Sequence, residues 1–185
     1  MSEKAADCVA FWVDAGWEKW FTKSDDFDAE FRRRFLDLHF EAARREHDGW
    51  IETPEGALAL MILLDQFPRN AFRGTAHMFA TDPLARMYAH QAIARGHDKV
   101  FDAMLPAFFY LPFEHAEDLA MQDESVRLFT ALAAEAPELA DMLDYAHRHH
   151  VVIARFGRFA HRNAILGRAS TLDELAFLQE PGSSF

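Results

Sequence analysis

The segment LLDQFPRNAFRG, residues 63–74, ends a run of apolar residues with two arginines four positions apart. A guanidinium group holds a carboxylate or phosphate through two parallel hydrogen bonds, so Arg69 and Arg73 are candidate anion ligands. The same groups can instead bind the free carbonyls of a helix end and pair with Asp65. The segment therefore predicts either an anion-binding site or a structural polar lock at the end of a helix.

A basic segment, residues 145–172, contains five arginines and four histidines and no acidic residue, although the formal net charge of the chain is -11. If this segment is helical, His147, His150 and Arg158 recur near the 3.6-residue period and place cations on one face. The alternative is a solvated basic face, or arginines that pair with acids at the edge of the core.

Two short strings repeat in these two regions, FPRNA at residues 67–71 and FAHRNA at residues 159–164. The match indicates two similar helix ends, with chance as the alternative. If the two ends meet in space, Arg69, Arg73, Arg158 and Arg162 would line an anion pocket walled by phenylalanines. Candidate ligand-binding residues across both regions are Asp65, Gln66, Arg69, Asn70, Arg73, Arg155, Arg158, Arg162 and Asn163.

The acidic segment PFEHAEDLAMQDE, residues 112–124, supplies the complementary charge. Acids in a first helical turn are favoured by the helix dipole whatever the function. In a binding protein, Glu117 and Asp118 would orient the arginines. In an enzyme, Glu117 or Asp118 would act as a general base, and His115 and His161 are further catalytic candidates.

Metal-assisted hydrolysis is a second enzymatic alternative, because imidazole and carboxylate groups suit zinc, iron or manganese. The candidate ligands are His115, His147 and His150. Their spacing is not that of the zinc motif His-Glu-x-x-His, and a phosphate loop, a dinucleotide fingerprint and a Gly-x-Ser-x-Gly elbow are absent. The sequence therefore implies no cofactor firmly.

Helical periodicity extends over almost the whole chain, and no alternating strand pattern interrupts it. Thr53-Pro54-Glu55 begins a helix that is apolar on nearly all sides and is expected at the centre of the fold. Pro68, which has no N–H, is expected to stop or kink that helix. We expect helices over about residues 5–21, 26–47, 54–66, 81–96, 114–134, 138–159 and 171–179.

The 185 residues, half of them hydrophobic, predict one domain over residues 1–185. No apolar run approaches the roughly 20 residues that cross a bilayer, and the polar N-terminus does not resemble a secretory signal. A cytoplasmic protein with no membrane partner is therefore expected. The negative net charge opposes nucleic-acid binding, and the lone Cys8 predicts a buried structural thiol.

Four strings, DQFPRNAFRGTAHMFATD, FFYLPFEHAED, RFGRFAHRNAILGR and FLQEPGSSF, resemble the bacterial family known as domain of unknown function 924 over about residues 9–185. The resemblance implies an all-α fold, a tetratricopeptide-like α–α superhelix of about seven or more antiparallel helices, and no established reaction. Ala116 and Ala160 stand where the family commonly has Ser and Pro, so a serine nucleophile is absent from that string. The residues that match the family pattern are Asp65, Gln66, Arg69, Asn70, Arg73, Glu114, His115, Glu117, Asp118, Arg155, Arg158, His161, Arg162 and Asn163.

The leading interpretation of the sequence is a helical domain that binds an anionic small molecule or an acidic peptide through Arg69, Arg73, Arg158 and Arg162. An enzyme is one alternative, and a buried polar network that only joins helices is another. The oligomeric state does not follow from the sequence.

Overall fold

The computed structural model describes residues 2–102 and 104–184 of the chain. This part of the chain is built from helices, turns and short connections and has no β-strand, so the all-α fold class is confirmed. The helices are α1 (Glu3–Phe21), α2 (Asp25–Ala43), α3 (Pro54–Met61), α4 (Phe67–Ala71), α5 (Asp82–Ala94), α6 (Ala107–Glu114), α7 (Leu119–Glu135), α8 (Ala140–Phe156) and α9 (Leu172–Phe177).

The chain divides into two compact units. Unit 1 comprises residues 1–73 and 77–112, and unit 2 comprises residues 74–76 and 113–185. The expectation of a single domain stays a prediction. Within the described residues, no helix combines the length and apolar character needed to cross a membrane.

The core of unit 1 forms around α3, as its all-round apolar sequence predicts. Every residue from 56 to 68 is buried. The hydroxyl of Thr53 caps the helix by accepting a hydrogen bond from the N–H of Gly56 at 3.2 Å. Gly56 is required at this position, because a Cβ atom would lie too close to the carbonyl oxygen of Trp50.

Aromatic rings fill the space around this helix. The fully buried Trp12 lies 5.4 Å from both Phe31 and Phe108, measured between ring centroids. Cys8 is also fully buried, and burial raises the pKa of its thiol far above the usual range. This environment agrees with a structural thiol rather than a nucleophile.

Of the two outcomes predicted at Pro68, a stop or a kink, the stop is wrong, because the helix runs on to Ala71. A single wide turn, Ile62–Gln66, joins α3 to α4, and the N–H of Phe67 donates to the carbonyl of Ile62, five residues back. The helix continues through Pro68 because the hydrogen bonds of this turn reach five residues back instead of four.

Two side chains from elsewhere in unit 1 supply the donors that this turn lacks. The carbonyl of Leu63 accepts from Nδ1 of His39 at 2.9 Å, and the carbonyl of Leu64 accepts from the hydroxyl of Thr81 at 2.6 Å. An unsatisfied buried carbonyl costs about 1–3 kcal/mol, so these bonds explain why the helix tolerates Pro68.

Unit 2 is organised by the helix pair α7 and α8, joined by the short 3₁₀ turn Pro137–Leu139. The helix predicted from Glu114 to about Ala134 begins instead at Leu119, because a turn over residues 115–118 separates α6 from α7. Two side chains stabilise that turn. Gln122 donates from Nε2 to the carbonyls of Glu114 (2.6 Å) and Ala116 (2.8 Å), and Asp118 caps α7 by accepting from the N–H of Met121 at 3.1 Å.

In the last part of unit 2, local sequence signals mark where the helices end and begin. α8 ends at Gly157, whose φ of 69° is readily adopted only by glycine. α9 begins with the predicted capping box, in which Glu174 accepts from the N–H of Thr171 at 2.7 Å and donates its own N–H to the Thr171 hydroxyl. Val152, Ile153 and Phe159 form a small core on which Phe156 and Phe177 pack.

Candidate functional site

Arg69 is held by two acids of its own unit. Both terminal nitrogens bind the carboxylate of Asp82, at 2.8 and 3.1 Å. Nη1 also donates to the carbonyl of Asp65 at 2.7 Å and lies 3.2 Å from its carboxylate. Because the side chain of Asp65 is fully buried and that of Asp82 nearly so, this arginine neutralises acids inside unit 1.

The remaining polar groups of the LLDQFPRNAFRG segment follow the same pattern. Arg73 binds the carboxylate of Asp28 at 2.9 and 3.1 Å, and Asn70 donates to its other oxygen at 2.7 Å. Gln66 donates to the carboxylate of Asp65 at 2.5 Å. The sequence-predicted cluster therefore exists, but its arginines bind carboxylates of the protein.

The sequence assigned Glu117 and Asp118 as partners of these arginines. In unit 1 the partners are Asp65, Asp82 and Asp28, while Asp118 is an exposed helix cap. Asp28 and Asp82 each lie in the first turn of a helix, where acids are common, so no local signal marked them as arginine ligands.

In unit 2, Arg158 forms a two-point ion pair with Glu174, at 2.6 and 2.8 Å, and also binds the carbonyl of Ala169. Glu174 is buried, and α9 begins at this pair. Arg158 therefore holds α9 and is not an open anion ligand.

The same pair predicts an acid-sensitive contribution to stability. The ion pair with Arg158, followed by the hydrogen bond from Thr171, lowers the pKa of Glu174 from 4.5 to about 2. A carboxyl group with a depressed pKa stabilises the fold above its unfolded value, and this contribution is lost as the pH falls from about 4.5 to about 2.

Urea unfolding followed by circular dichroism at several pH values measures this effect. The difference in unfolding free energy between wild type and Arg158→Gln should be largest above pH 5 and should shrink toward pH 2. Arg155→Gln, which changes an exposed arginine on the neighbouring turn, is the control and should show no such trend. A difference that stays constant with pH would contradict the assignment.

Arg168, which the sequence analysis missed, binds Glu117 through two hydrogen bonds, at 2.5 and 2.8 Å. It also donates to the side chain of Asn163 at 3.0 Å, and Asn163 donates to the hydroxyl of Ser170 at 3.0 Å. The sequence signal that could have identified Arg168 was its position in the acid-free segment 145–172. These bonds fix the loop between α8 and α9.

Glu117 was proposed as a general base. Burial by itself would raise its pKa, but Arg168 and the N–H of Phe159, which donates to Glu117 at 2.8 Å, hold the pKa below its usual value. A carboxylate bound in this way is suited to charge pairing rather than to taking a proton.

A second cluster in unit 2 surrounds the ring of Phe159, which is fully buried. The guanidinium carbon of Arg162 lies 4.4 Å from the ring centroid, and the rings of His149 and His161 lie 5.5 and 5.7 Å from it. His115 lies 6.3 Å from His149. We call His115, His149, Phe159, His161 and Arg162 the Phe159 cluster.

Two histidines of this cluster, His149 and His161, are neutral at pH 7. Burial lowers the pKa of His149 to about 3, and nearby His115, Arg162 and His161 contribute in the same direction. Burial likewise lowers the pKa of His161 to about 4, with a further contribution from Arg162. Nδ1 of His149 donates to the carbonyl of Tyr145 at 2.8 Å, which leaves Nε2 as the acceptor.

Glu114 places a carboxylate beside the Phe159 cluster. One of its carboxylate oxygens lies 3.4 Å from Nδ1 of His149. His149 escaped the sequence analysis, which chose its neighbours His147 and His150. Its position on the buried side of α8, in register with Met142, Ala146, Val152 and Ile153, was the missing signal.

The three histidines predicted as metal ligands do not form a group. His147 is exposed, His150 pairs with Asp123 at 2.8 Å, and His115 lies beside His149. Among residues 2–102 and 104–184, no set of three or more His, Cys, Asp or Glu side chains is arranged to hold a metal ion. Arg155 lies on the surface over the rings of Phe156 and Phe177.

The predicted convergence of Arg69 and Arg73 with Arg158 and Arg162 stays a prediction, since the first two belong to unit 1 and the last two to unit 2. Within each unit, the structure brings together most of the residues that the sequence singled out. It does so chiefly through ion pairs inside that unit.

Comparisons with known proteins agree with this architecture. A bacterial protein family of unknown function, DUF924, matches residues 8–182 of the chain. The solved structure of ATU0120, a protein of unknown function from Agrobacterium tumefaciens, is similar with 54% sequence identity and a TM-score of 0.89. The similarity covers 95% of this chain and 96% of that one. No protein with a curated description matches the chain.

Proposed function

We propose that this chain, which belongs to the bacterial family of unknown function DUF924, binds an anionic small molecule through the Phe159 cluster. The supporting observation is the convergence of Arg162, His149 and His161 on one buried ring. The proposal narrows the ligand-binding residues expected from the sequence to those around this ring, where Arg162 and His161 are the candidate donors.

The chemistry of the cluster suits a carboxylate or phosphate. Arg162 carries a permanent charge and a planar set of donors, which give the strongest hydrogen bonds to such groups. His115 and His161 are further imidazole donors. Because Phe159 occupies the centre of the cluster, water is excluded from that side of the site, and low local polarity strengthens each polar contact.

Three of the four arginines first considered bind acids of their own unit. Arg69, Arg73 and Arg158 each make a two-point contact with a carboxylate of their own unit. A ligand at those positions would have to replace a bound acid and leave that acid without its partner.

Thermal unfolding with inorganic phosphate, succinate and a sugar phosphate tests this proposal. A ligand at 100 times its dissociation constant stabilises the folded state by about 2.7 kcal/mol, or several degrees in Tm. We expect at least one of these anions to stabilise wild type. We expect His161→Gln to bind that anion with at least tenfold lower affinity.

His147→Gln is the matched control, because it removes an exposed imidazole from the same basic segment. It should bind as wild type does. The proposal fails if none of the three anions stabilises wild type. It also fails if His147→Gln and His161→Gln lose binding equally.

A further inference from the structure

The exposed side of α8 carries a stripe of two arginines with a valine between them. Arg148, Val151 and Arg155 follow one another at intervals of three and four positions, so they lie along one face of the helix. All three are exposed, and Val151 retains 62% of its accessible surface. We call these three residues the α8 face.

Aromatic stacking holds one positive charge of the α8 face in a fixed position. Arg155 has no carboxylate partner among the described residues, and its guanidinium lies over Phe156 at 4.6 Å and Phe177 at 5.8 Å. Stacking on two rings orients the charged group before any partner arrives, which reduces the entropy lost on binding.

Arg148 pairs with Asp144 at 2.5 Å, but both side chains are more than half exposed. Such a surface pair is weak, so a second carboxylate can compete for this arginine. Asp141 lies in the first turn of α8, Asp123 pairs with His150, and Asp173 lies in the first turn of α9. The half of α8 from His147 to Phe156 contains no acid.

We propose that the α8 face docks an acidic amphipathic helix of a partner protein. Two carboxylates of that helix would bind Arg148 and Arg155, and an apolar side chain between them would cover Val151. Arg148 and Arg155 are seven residues apart, which is about 10.5 Å along a helix. The partner therefore needs acids seven positions apart with an apolar residue midway.

The net charge of -11 does not oppose this contact. At physiological ionic strength the screening length is about 8 Å, so the acids on distant surfaces act weakly at the α8 face. The local arginines decide which segments bind there, and basic segments are repelled from it. The inference does not depend on the Phe159 cluster, because no residue is shared between the two.

Fluorescence anisotropy with a synthetic probe tests the proposal. The probe is a labelled, alanine-based helical peptide with glutamates every seven residues and leucines midway between them. We expect binding to wild type at 50 mM salt and a loss of at least tenfold in affinity for Arg155→Glu. The control Arg95→Glu reverses an exposed arginine of unit 1, makes the same change in net charge, and should bind as wild type does.

A charge exchange strengthens the test. A second peptide with lysines in place of the glutamates should bind the double variant Arg148→Glu/Arg155→Glu better than wild type. Failure of the acidic probe to bind wild type would overturn the proposal, as would equal losses in Arg155→Glu and Arg95→Glu. Self-association in sedimentation that Val151→Asp abolishes would also overturn it, because a second copy would then be the occupant.

Discussion

Replacing Arg69 with alanine should lower the free energy of unfolding by about 3–5 kcal/mol, the usual cost of removing one member of a buried ion pair. The substitution removes the guanidinium that binds the carboxylate of Asp82 and contacts that of Asp65. Because these two acids have relative exposures of only 6% and 0%, water cannot replace the lost interactions. Urea unfolding followed by circular dichroism at pH 7 measures the loss.

Arg73→Ala is the matched control, since it makes the same chemical change one helical turn away. The Arg73 side chain is 39% exposed, and an ion pair so accessible to solvent typically contributes about 0–1 kcal/mol. The contrast between the two variants separates a structural lock from a binding site. If both variants lose less than about 1 kcal/mol, Arg69 is not structural, and its role as a ligand must be reconsidered.

The parts of the fold that follow from sequence are those determined by local chemistry. Thr53 and Pro54 mark the start of α3, and the apolar residues that follow on all sides of the helix predict its burial. The capping box at Thr171 and Glu174 marks the start of α9 in the same way. Each signal lies within a few residues of the feature it predicts, so neighbouring residues are sufficient.

The features that escaped prediction depend on residues far apart in the chain. Pro68 does not end its helix because His39 and Thr81, 24 and 17 residues from the carbonyls they satisfy, supply the missing donors. Arg168 and Glu117 are 51 residues apart. A single sequence contains no pairing information over such distances, and every acid near a helix start is an equally good candidate partner.

For the candidate site, the residue types could be predicted from the sequence, but their positions could not. Its composition was visible in the sequence, because the histidines and arginines of residues 145–172 have no acid among them. Its geometry was not, since only the helix register places His149 inside and His147 outside. A prediction based on residue type therefore found the segment and its His161, but it did not find His149.

Phe159→Ala should destabilise the protein by about 3–5 kcal/mol, the usual cost of deleting a buried phenylalanine side chain. Phe159 is fully buried, packs with Val152 and Ile153, and contacts two histidines and Arg162. Phe156→Ala, three positions away at a half-buried site, should cost less than half as much. Equal losses in the two variants, measured by urea unfolding, would show that Phe159 is not a packing centre.

Phe159→Leu separates packing from binding at the same position. Leucine retains much of the apolar volume, so we expect a folded protein and a loss smaller than the roughly 3–5 kcal/mol of the alanine variant. The variant removes the ring on which Arg162 and the two histidines converge. Since the orientation of these groups depends on that ring, the folded Phe159→Leu protein should bind anions at least tenfold more weakly than wild type in the thermal assay. Unchanged anion binding in this variant would show that the ring serves the core alone.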